Sequence, residues 1–283
     1  MKIDEVALAA GGHPFRVRTY QPPQPGGAVL VWMHGGAFMF GDLDMPEADQ
    51  VARELAGRGV TVVSVDYTLA PLDALPALLP PGGPGPDAPL PPPPMSDRPR
   101  ARFPVASLQV AAAFEWAVES FGEVRVSLGG ASAGANLAAS AAMRLRDAGG
   151  VQPASLLLVY PVLHGEVPPV DEELQAMLKE LPAFLTFPKA AMMAINENYA
   201  GEALDDPYVY PAGHDLRGLP PAFIVNAEAD RLRMSGEGFA AELAMAGVDV
   251  TVVRERGTAH GYLNEVGAPA AIRTMERFTT WLA

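Results

Sequence analysis

The stretch Val124-Arg125-Val126-Ser127-Leu128-Gly129-Gly130-Ala131-Ser132-Ala133-Gly134 decides the fold. In it an apolar run leads into Gly-x-Ser-x-Gly, and an alanine-rich helical segment follows. Where a strand, a sharp turn and a helix succeed one another in this way, the side chain at position 132 projects out of the sheet. Glycines two residues before and two residues after Ser132 remove the Cβ atoms that would obstruct such a tight turn. The stretch therefore predicts a nucleophile elbow with Ser132 at its tip.

The pentapeptide is weak evidence by itself, because glycine is common in this chain, with 28 among 283 residues. A serine hydroxyl is also a poor nucleophile until a base takes its proton and fixed donors stabilise the oxyanion it creates. The interpretation therefore requires a base and an anion hole elsewhere in the sequence.

Apolar runs and helical segments alternate along the rest of the chain. Strands are predicted over residues 14–20 (as an edge strand), 28–33, 60–65, 124–128, 154–160, 221–226 and 248–254. Helices are predicted over residues 46–58, 103–120, 235–246 and 268–282. This alternation indicates an α/β fold with a mostly parallel central sheet and helices on both faces. Ligands of such sheets bind beyond the carboxyl ends of the strands.

Composition excludes several classes of function. The 33 acidic and 20 basic residues give a net charge of −13, which disfavours nucleic acid and anionic membranes as partners. No apolar run reaches the roughly 18 residues of a membrane helix, so stable membrane insertion is not expected. With no cysteine, a thiolate nucleophile, a disulfide and a Cys-ligated zinc are excluded. We expect a cytoplasmic protein with a single domain over residues 1–283.

A proline-rich insertion interrupts the alternation between residues 72 and 102 and includes Pro91-Pro92-Pro93-Pro94. Because proline neither donates to a strand ladder nor continues a helix, the segment is predicted to be loop or polyproline-like. Two interpretations stay open. The insertion is either a surface loop, which chains tolerate at low cost, or a wall of the site mouth at the carboxyl end of strand 60–65.

The glycine turn His34-Gly35-Gly36-Ala37-Phe38 follows strand 28–33. Consecutive glycines let the backbone approach a substrate closely, and fixed backbone N–H groups stabilise the oxyanion of an acyl-transfer transition state. The candidate donors are the amides of Gly35 and Gly36, together with the amide of Ala133 after the nucleophile. His34 is expected to hold this turn by hydrogen bonds.

Among five histidines, His260 is the candidate base, because it follows the last predicted strand. Asp230, just past strand 221–226, is the candidate acid that fixes the imidazole tautomer. Glu228 is its nearest rival. The order Ser132, Asp230, His260 fits an α/β-hydrolase and neither the chymotrypsin nor the subtilisin order. A base with an ordinary histidine pKa predicts that activity falls below about pH 6.5.

Together these motifs resemble the hormone-sensitive-lipase-like branch of α/β-hydrolases, the bacterial esterase/acetylhydrolase family. The matching segments follow one another through nearly the whole chain: residues 34–38, Asp66-Tyr67-Thr68-Leu69-Ala70-Pro71, residues 130–134, Tyr160-Pro161-Val162-Leu163, Asp206-Pro207, Leu219-Pro220-Pro221-Ala222, Asp230-Arg231-Leu232-Arg233 and His260-Gly261-Tyr262.

The resemblance implies an α/β-hydrolase fold with a reduced helical cap. It further implies hydrolysis of short- to medium-chain carboxylic esters through an acyl-enzyme, without cofactor or metal. By the same resemblance, the triad is Ser132, Asp230 and His260, and the oxyanion hole is made by Gly35, Gly36 and Ala133.

The chain departs from the family pattern near the acid, where Arg231 replaces proline and Met234-Ser235 replace later acids. Cap elements are expected within residues 1–13, too few for the usual two-helix element, and within residues 165–200. The apolar residues of the second segment are expected to pack mainly inside the cap: Leu174, Met177, Leu178, Phe184, Phe187, Met192 and Met193.

Two alternative functions stay open at this point. One is an amidase or peptidase that uses the same triad. The other is a non-catalytic receptor for a small ligand on the same fold, although such receptors typically lack a triad residue and this chain has all three. The expected partner is a small-molecule ester, and a homodimer is a further expectation because dimers are common among relatives.

Overall fold

The computed structural model describes residues 1–78, 99–122, 124–182 and 185–283. Within these residues eight strands form one sheet, in the spatial order β1-β2-β4-β3-β5-β6-β7-β8. The pairs β1/β2 and β2/β4 are antiparallel and the other pairs are parallel. The strands are β1 Lys2–Ala10, β2 His13–Gln21, β3 Ala28–Met33, β4 Thr61–Asp66, β5 Arg125–Ala131, β6 Leu156–Val159, β7 Ala222–Ala229 and β8 Val250–Ala259. The predicted mostly parallel sheet is confirmed.

Helices cover both faces of this sheet, as predicted. They are α1 Pro46–Gly57, α2 Leu75–Leu78, α3 Val105–Phe121, α4 Ala133–Asp147, α5 Glu172–Lys179, α6 Lys189–Ala200, α7 Arg233–Met245 and α8 Pro269–Leu282. Helices α3, α4 and α7 contribute to the apolar core on one face, and α1 and α8 contribute to the core on the other. No helix among the described residues is both long and apolar enough to cross a membrane.

Strand β3 shows why a continuous apolar run belongs in the middle of this sheet. Its side chains alternate between the two cores, with Val31 in one and both Leu30 and Trp32 in the other. Every residue of β3 is buried. A central parallel strand must be apolar on both faces, and this strand delivers the glycine turn to the carboxyl end of the sheet.

The N-terminal residues form a strand, which corrects the expected cap element within residues 1–13. Strand β1 pairs with β2 from Lys2–Gln21 to Ala10–His13. The chain turns between them at Gly11 and Gly12, whose φ angles are +59° and +78°, as a two-residue hairpin requires. Strand β2 therefore lies between β1 and β4, so its predicted position at the edge of the sheet was wrong.

The predicted cap segment, residues 165–200, contains α5 and α6. Leu174, Leu178 and Met192 are buried there, Met177 and Phe187 are partly buried, and Met193 is exposed. The packing of these residues inside a cap stays a prediction. Phe184 lies outside the described residues. Residues 79–98 of the proline-rich insertion also lie outside the described residues, and their conformation and their place at the site mouth stay predictions. Residues 75–78 of the insertion form α2, so the predicted loop or polyproline-like structure was wrong there.

Candidate active site

Ser132 lies in a sharp turn between β5 and α4, with φ +54° and ψ −118°. The flanking glycines are needed for close approach. A Cβ on Gly134 would lie 2.2 Å from the Met33 carbonyl oxygen, and one on Gly130 would lie 2.4 Å from the Gly134 carbonyl carbon. The elbow predicted from the sequence is thus present, and it directs the Ser132 side chain towards the loop after β8.

A continuous hydrogen-bonded chain links three side chains that are distant in sequence. The Ser132 hydroxyl oxygen lies 2.9 Å from Nε2 of His260, and Nδ1 of His260 lies 2.7 Å from Oδ2 of Asp230. Asp230 is fully buried, and its other oxygen accepts the Leu232 amide at 2.9 Å. Because a carboxylate only accepts, Nδ1 carries the proton and Nε2 is free to accept the serine proton. The predicted proximity of these residues is confirmed.

The rival acid points elsewhere. A carboxylate oxygen of Glu228 accepts the Gly257 amide at 2.8 Å, and its carbonyl accepts the Arg233 guanidinium. These contacts direct the Glu228 carboxylate to the backbone of β8. Asp230 is the acid that contacts the imidazole of His260.

A second serine–histidine–carboxylate set lies near α7. His164 contacts the Ser235 hydroxyl through Nδ1 at 2.9 Å and Glu242 through Nε2 at 3.0 Å. Ser235 is completely buried, and its oxygen accepts the amides of Leu163 and His164. These bonds join α7 to the end of β6. Ser235 therefore holds the first turn of α7 against residues 163 and 164 of the loop after β6.

Burial of His260 opposes its protonation, but the charge and hydrogen bond of Asp230, with the charge of Glu47, outweigh that effect. The pKa of His260 is raised above its ordinary value of 6.5. The base is therefore lost as the pH falls through a value above 6.5, which shifts upward the acid limit expected from the sequence.

His34 holds the glycine turn, as expected. Its Nδ1 lies 2.7 Å from the Gly35 carbonyl oxygen, and its ring stacks on Tyr67 with 4.6 Å between centroids. The Tyr67 hydroxyl donates to the His34 carbonyl at 3.0 Å. Burial lowers the pKa of His34, so its neutral ring donates from Nδ1 and fixes the turn.

The structure corrects the expected role of Gly35. Its amide donates at 2.5 Å to Oε2 of Glu47 and is therefore not available to an oxyanion. A Cβ at this position would lie 2.7 Å from that oxygen and 3.0 Å from the Ser132 Cβ, so glycine is required for close approach. Within the described chain, the amides of Gly36 and Ala37 have no acceptor in the protein.

Glu47 is a site residue that the sequence reasoning missed. It lies in the first turn of α1 and is buried. Its Oε1 accepts the Tyr160 hydroxyl at 2.5 Å and the Asn264 amide at 3.4 Å. Tyr160 in turn packs its ring against His260, with 4.8 Å between centroids. A first-turn glutamate normally indicates only a charge favourable to a helix N-terminus, so no sequence pattern predicts this role.

One aromatic side chain contacts the base, and an aromatic stack includes a residue of the glycine turn. The Phe187 ring of the cap segment lies 4.7 Å from the His260 ring, edge to face. Phe38, the last residue of the glycine turn, stacks on Tyr199 of α6 with 3.9 Å between ring centroids. Phe187 therefore contacts the base as well as belonging to the cap.

Backbone strain is concentrated at the same place. In the described chain, the non-glycine residues with positive φ are Ala37, Phe38, Ser132, Tyr160 and Phe187. All belong to the glycine turn, the elbow or the side chains that pack against His260. Residues are held in such conformations only where the surrounding structure enforces them, and functional sites are where they cluster.

No group of three or more metal-ligating side chains occurs among the described residues.

The sheet, the elbow and the hydroxyl–imidazole–carboxylate chain define the class as the α/β-hydrolase fold. The profile of a family described as having the alpha/beta hydrolase fold matches residues 30–80 and 97–264. The chain belongs to this family.

Relatives with known names are similar along almost the whole chain. Esterase LipI of Mycobacterium tuberculosis is 31% identical, with 98% of this chain and 80% of the relative aligned. Carboxylesterase NlhH of the same species is 32% identical, with 98% and 81% aligned. The solved structure of a hyperthermophilic esterase from the archaeon Pyrobaculum calidifontis has a TM-score of 0.80 at 26% identity, with 99% and 82% covered.

Proposed function

We propose that the protein is a serine carboxylesterase that hydrolyses short- to medium-chain esters. The observation that carries this proposal is the continuous chain from the Ser132 hydroxyl through His260 to the buried Asp230 carboxylate. Family membership and the esterase names of the relatives support ester hydrolysis. The Phe187 ring beside His260 gives the site an apolar border, which fits the apolar acyl group of such an ester.

The reaction proceeds in two halves. The Ser132 oxygen bonds to the ester carbonyl carbon while Nε2 of His260 takes the hydroxyl proton. The carbonyl oxygen becomes an oxyanion, held by the amides of Ala133 and of Gly36 and Ala37 in the glycine turn. When the tetrahedral intermediate collapses, the ester C–O bond breaks and His260 protonates the leaving alcohol. Water then repeats these steps on the acyl-enzyme and releases the carboxylic acid.

A series of p-nitrophenyl esters from acetate to palmitate tests the proposal, with p-nitroacetanilide measured beside p-nitrophenyl acetate. We expect the highest kcat/KM at short or medium chain length and a much lower value for the anilide. Ser132→Ala is expected to lower kcat by about 10⁴- to 10⁶-fold with the fold intact, because it removes the nucleophile.

Two outcomes would overturn the proposal. One is near-wild-type ester hydrolysis by the Ser132→Ala variant. The other is inertness of the wild type towards every ester of the series, which would favour the receptor alternative. A homodimer and a cytoplasmic location stay predictions.

A further inference from the structure

Glu47 combines burial with an unusual set of partners. Its carboxylate accepts the Gly35 amide, the Tyr160 hydroxyl and the Asn264 side-chain amide. Its backbone contributes as well, since its amide donates to the Asn264 side chain at 3.2 Å and its carbonyl accepts Trp32 Nε1 at 2.8 Å. One residue thus joins the ends of β3 and β6 to the loop after β8.

The hydrogen bonds identify the ionised form of this side chain. All three partners of the carboxylate donate, and none needs a proton from it. Burial raises the pKa of Tyr160 well above its usual range, and the charge and hydrogen bond of Glu47 raise it further, so the Tyr160 hydroxyl stays a donor. Among the described residues, no cation forms an ion pair with Glu47. A buried carboxylate without a cation is costly and is retained where its hydrogen bonds hold something in place.

We propose that Glu47 is a positioning residue that fixes the oxyanion-binding turn and the base-bearing loop in one geometry. This inference rests on the proposed esterase function, because it assigns a role within the same site. Glu47 contacts neither the Ser132 hydroxyl nor the His260 ring through any hydrogen bond of the described chain. It acts through Gly35, Tyr160 and Asn264.

The first contact through which Glu47 acts is its hydrogen bond to the glycine turn. Oε2 of Glu47 holds the Gly35 amide on the protein side, while His34 and Tyr67 hold the carbonyls of the same turn. With these groups fixed, the next two amides, those of Gly36 and Ala37, are left without acceptors among the described residues. Amides held rigidly before the reaction stabilise an oxyanion better than amides that must reorganise.

The other contacts of Glu47 are with Tyr160 and Asn264, which lie beside the base His260. Tyr160, held by Oε1 of Glu47, packs on the His260 ring, and Asn264 follows His260 by four residues in a short 3₁₀ turn. Asn264 also donates to the Gly261 carbonyl. The orientation of the imidazole therefore depends on the carboxylate that orients the glycine turn.

The charge of Glu47 gives this role a distinct signature. The charge of Glu47 acts to raise the pKa values of His34, Tyr67, Tyr160 and His260. Burial raises the pKa values of both tyrosines and lowers that of His34, so these three stay neutral near pH 7. His260 also faces Asp230, and it is the group whose titration the Glu47 charge shifts upward in the working range.

Glu47→Gln is the test, because it preserves shape while removing the charge and one acceptor. With p-nitrophenyl acetate, we expect kcat to fall about 10- to 100-fold and KM to change little. Binding of trifluoroacetone, which adds to a serine to form a tetrahedral hemiketal, should weaken in parallel with kcat/KM. The acid limb of the kcat/KM profile should move to lower pH. Glu54→Gln, the same change near the solvent side of α1, should alter none of these.

Unchanged kcat and an unchanged acid limb in a folded Glu47→Gln variant would overturn the proposal. A lower kcat with unchanged trifluoroacetone binding and an unshifted acid limb of the kcat/KM profile would also overturn it, since loss of stability alone gives that pattern. If Glu47→Gln fails to fold, Asn264→Ala decides, because position 264 is exposed. Lower kcat at an unchanged Tm supports the proposal, and wild-type kcat overturns it. Wild-type activity in the same assay shows separately whether the esterase function holds.

Discussion

The amino ends and the carboxyl ends of the parallel strands differ in their hydrogen bonds, in their buried charges and in their backbone strain. At the amino ends, Ser127 and Ser155 share a 3.0 Å hydrogen bond, and the Arg125 guanidinium donates to the carbonyls of Leu282 and Ala283. These links are neutral or near solvent, and none involves a residue with positive φ. At the carboxyl ends, by contrast, the carboxylates of Asp230 and Glu47 are buried. Among the described residues, neither pairs with a lysine or arginine, and the partner of Asp230 is His260, which is charged only when protonated.

The difference separates residues that stabilise the sheet from residues that prepare a reaction. Neutral bonds and ordinary backbone angles contribute to folding at little cost. Strained turns and buried carboxylates reduce stability and persist where function retains them. Changes at the carboxyl ends should therefore affect activity more than stability, and changes at the amino ends should do the reverse.

The largest expected effect is that of Asp230→Asn. The amide would favour the wrong histidine tautomer, and kcat should fall by about 10⁴-fold with the fold retained. Steady-state kinetics with p-nitrophenyl acetate and a thermal melt measure both quantities. Asp249→Asn, at an exposed position before β8, is the matched control and should behave as wild type. An Asp230→Asn variant within tenfold of wild type would show that another group orients His260.

Gly36→Ala should have the next largest effect. The φ of Gly36 is +116°, which L-residues rarely adopt, and a Cβ there would lie 2.2 Å from the Phe40 carbonyl oxygen. The turn must shift, so kcat should fall by about 10- to 100-fold. Gly149→Ala is the control, with φ +68° and no atom near its Cβ. It should cost about 1 kcal/mol of stability and leave kcat unchanged. Equal kinetics for the two variants would contradict the role of the turn.

The pH dependence of kcat/KM in the wild type is expected to be a smaller effect than those of the two substitutions. Because the pKa of His260 is raised above 6.5, kcat/KM should reach half its plateau at a pH above 6.5 and decline further as the pH falls. The effect reflects protonation of the free enzyme's base. A pH series of initial rates on an uncharged ester measures it. A midpoint below 6.5 would mean that burial outweighs the charge of Asp230.

The smallest effect on activity is expected at the amino ends. Ser127→Ala removes the hydrogen bond to Ser155 and should lower the free energy of unfolding by about 1 kcal/mol. The kinetic constants should stay at their wild-type values. Denaturant unfolding and initial rates test the two halves of this expectation. A kinetic defect without a loss of stability would break the contrast between the two ends.

Much of the fold followed from local pattern. Strand β3 and the elbow were predictable because an apolar run and two spaced glycines each specify their structure locally. Strand β1 was missed because its residues are mostly exposed or half-buried. The Gly11-Gly12 pair, a typical hairpin turn, was the signal that could have revealed it.

The candidate site was predictable as far as motif and chain order reach. Ser132, Asp230 and His260 each follow a strand, and parallel strands bring such positions to one edge. The partner of the Gly35 amide was not predictable, because Glu47 reaches it only through the packing of α1 against the sheet. Tyr160 and Asn264 join this network for the same reason. Contacts that depend on the packing of distant elements produce no periodic pattern of residues in the sequence.

The central claim is that Ser132, activated by His260 and Asp230, forms a covalent acyl-enzyme. Labelling with a fluorophosphonate, followed by mass mapping of the modified peptide, tests this claim most directly. We expect one adduct per chain on Ser132 in the wild type, slower labelling of Asp230→Asn and no labelling of Ser132→Ala. An adduct on another serine such as the buried Ser235, or no adduct in the wild type, would contradict it.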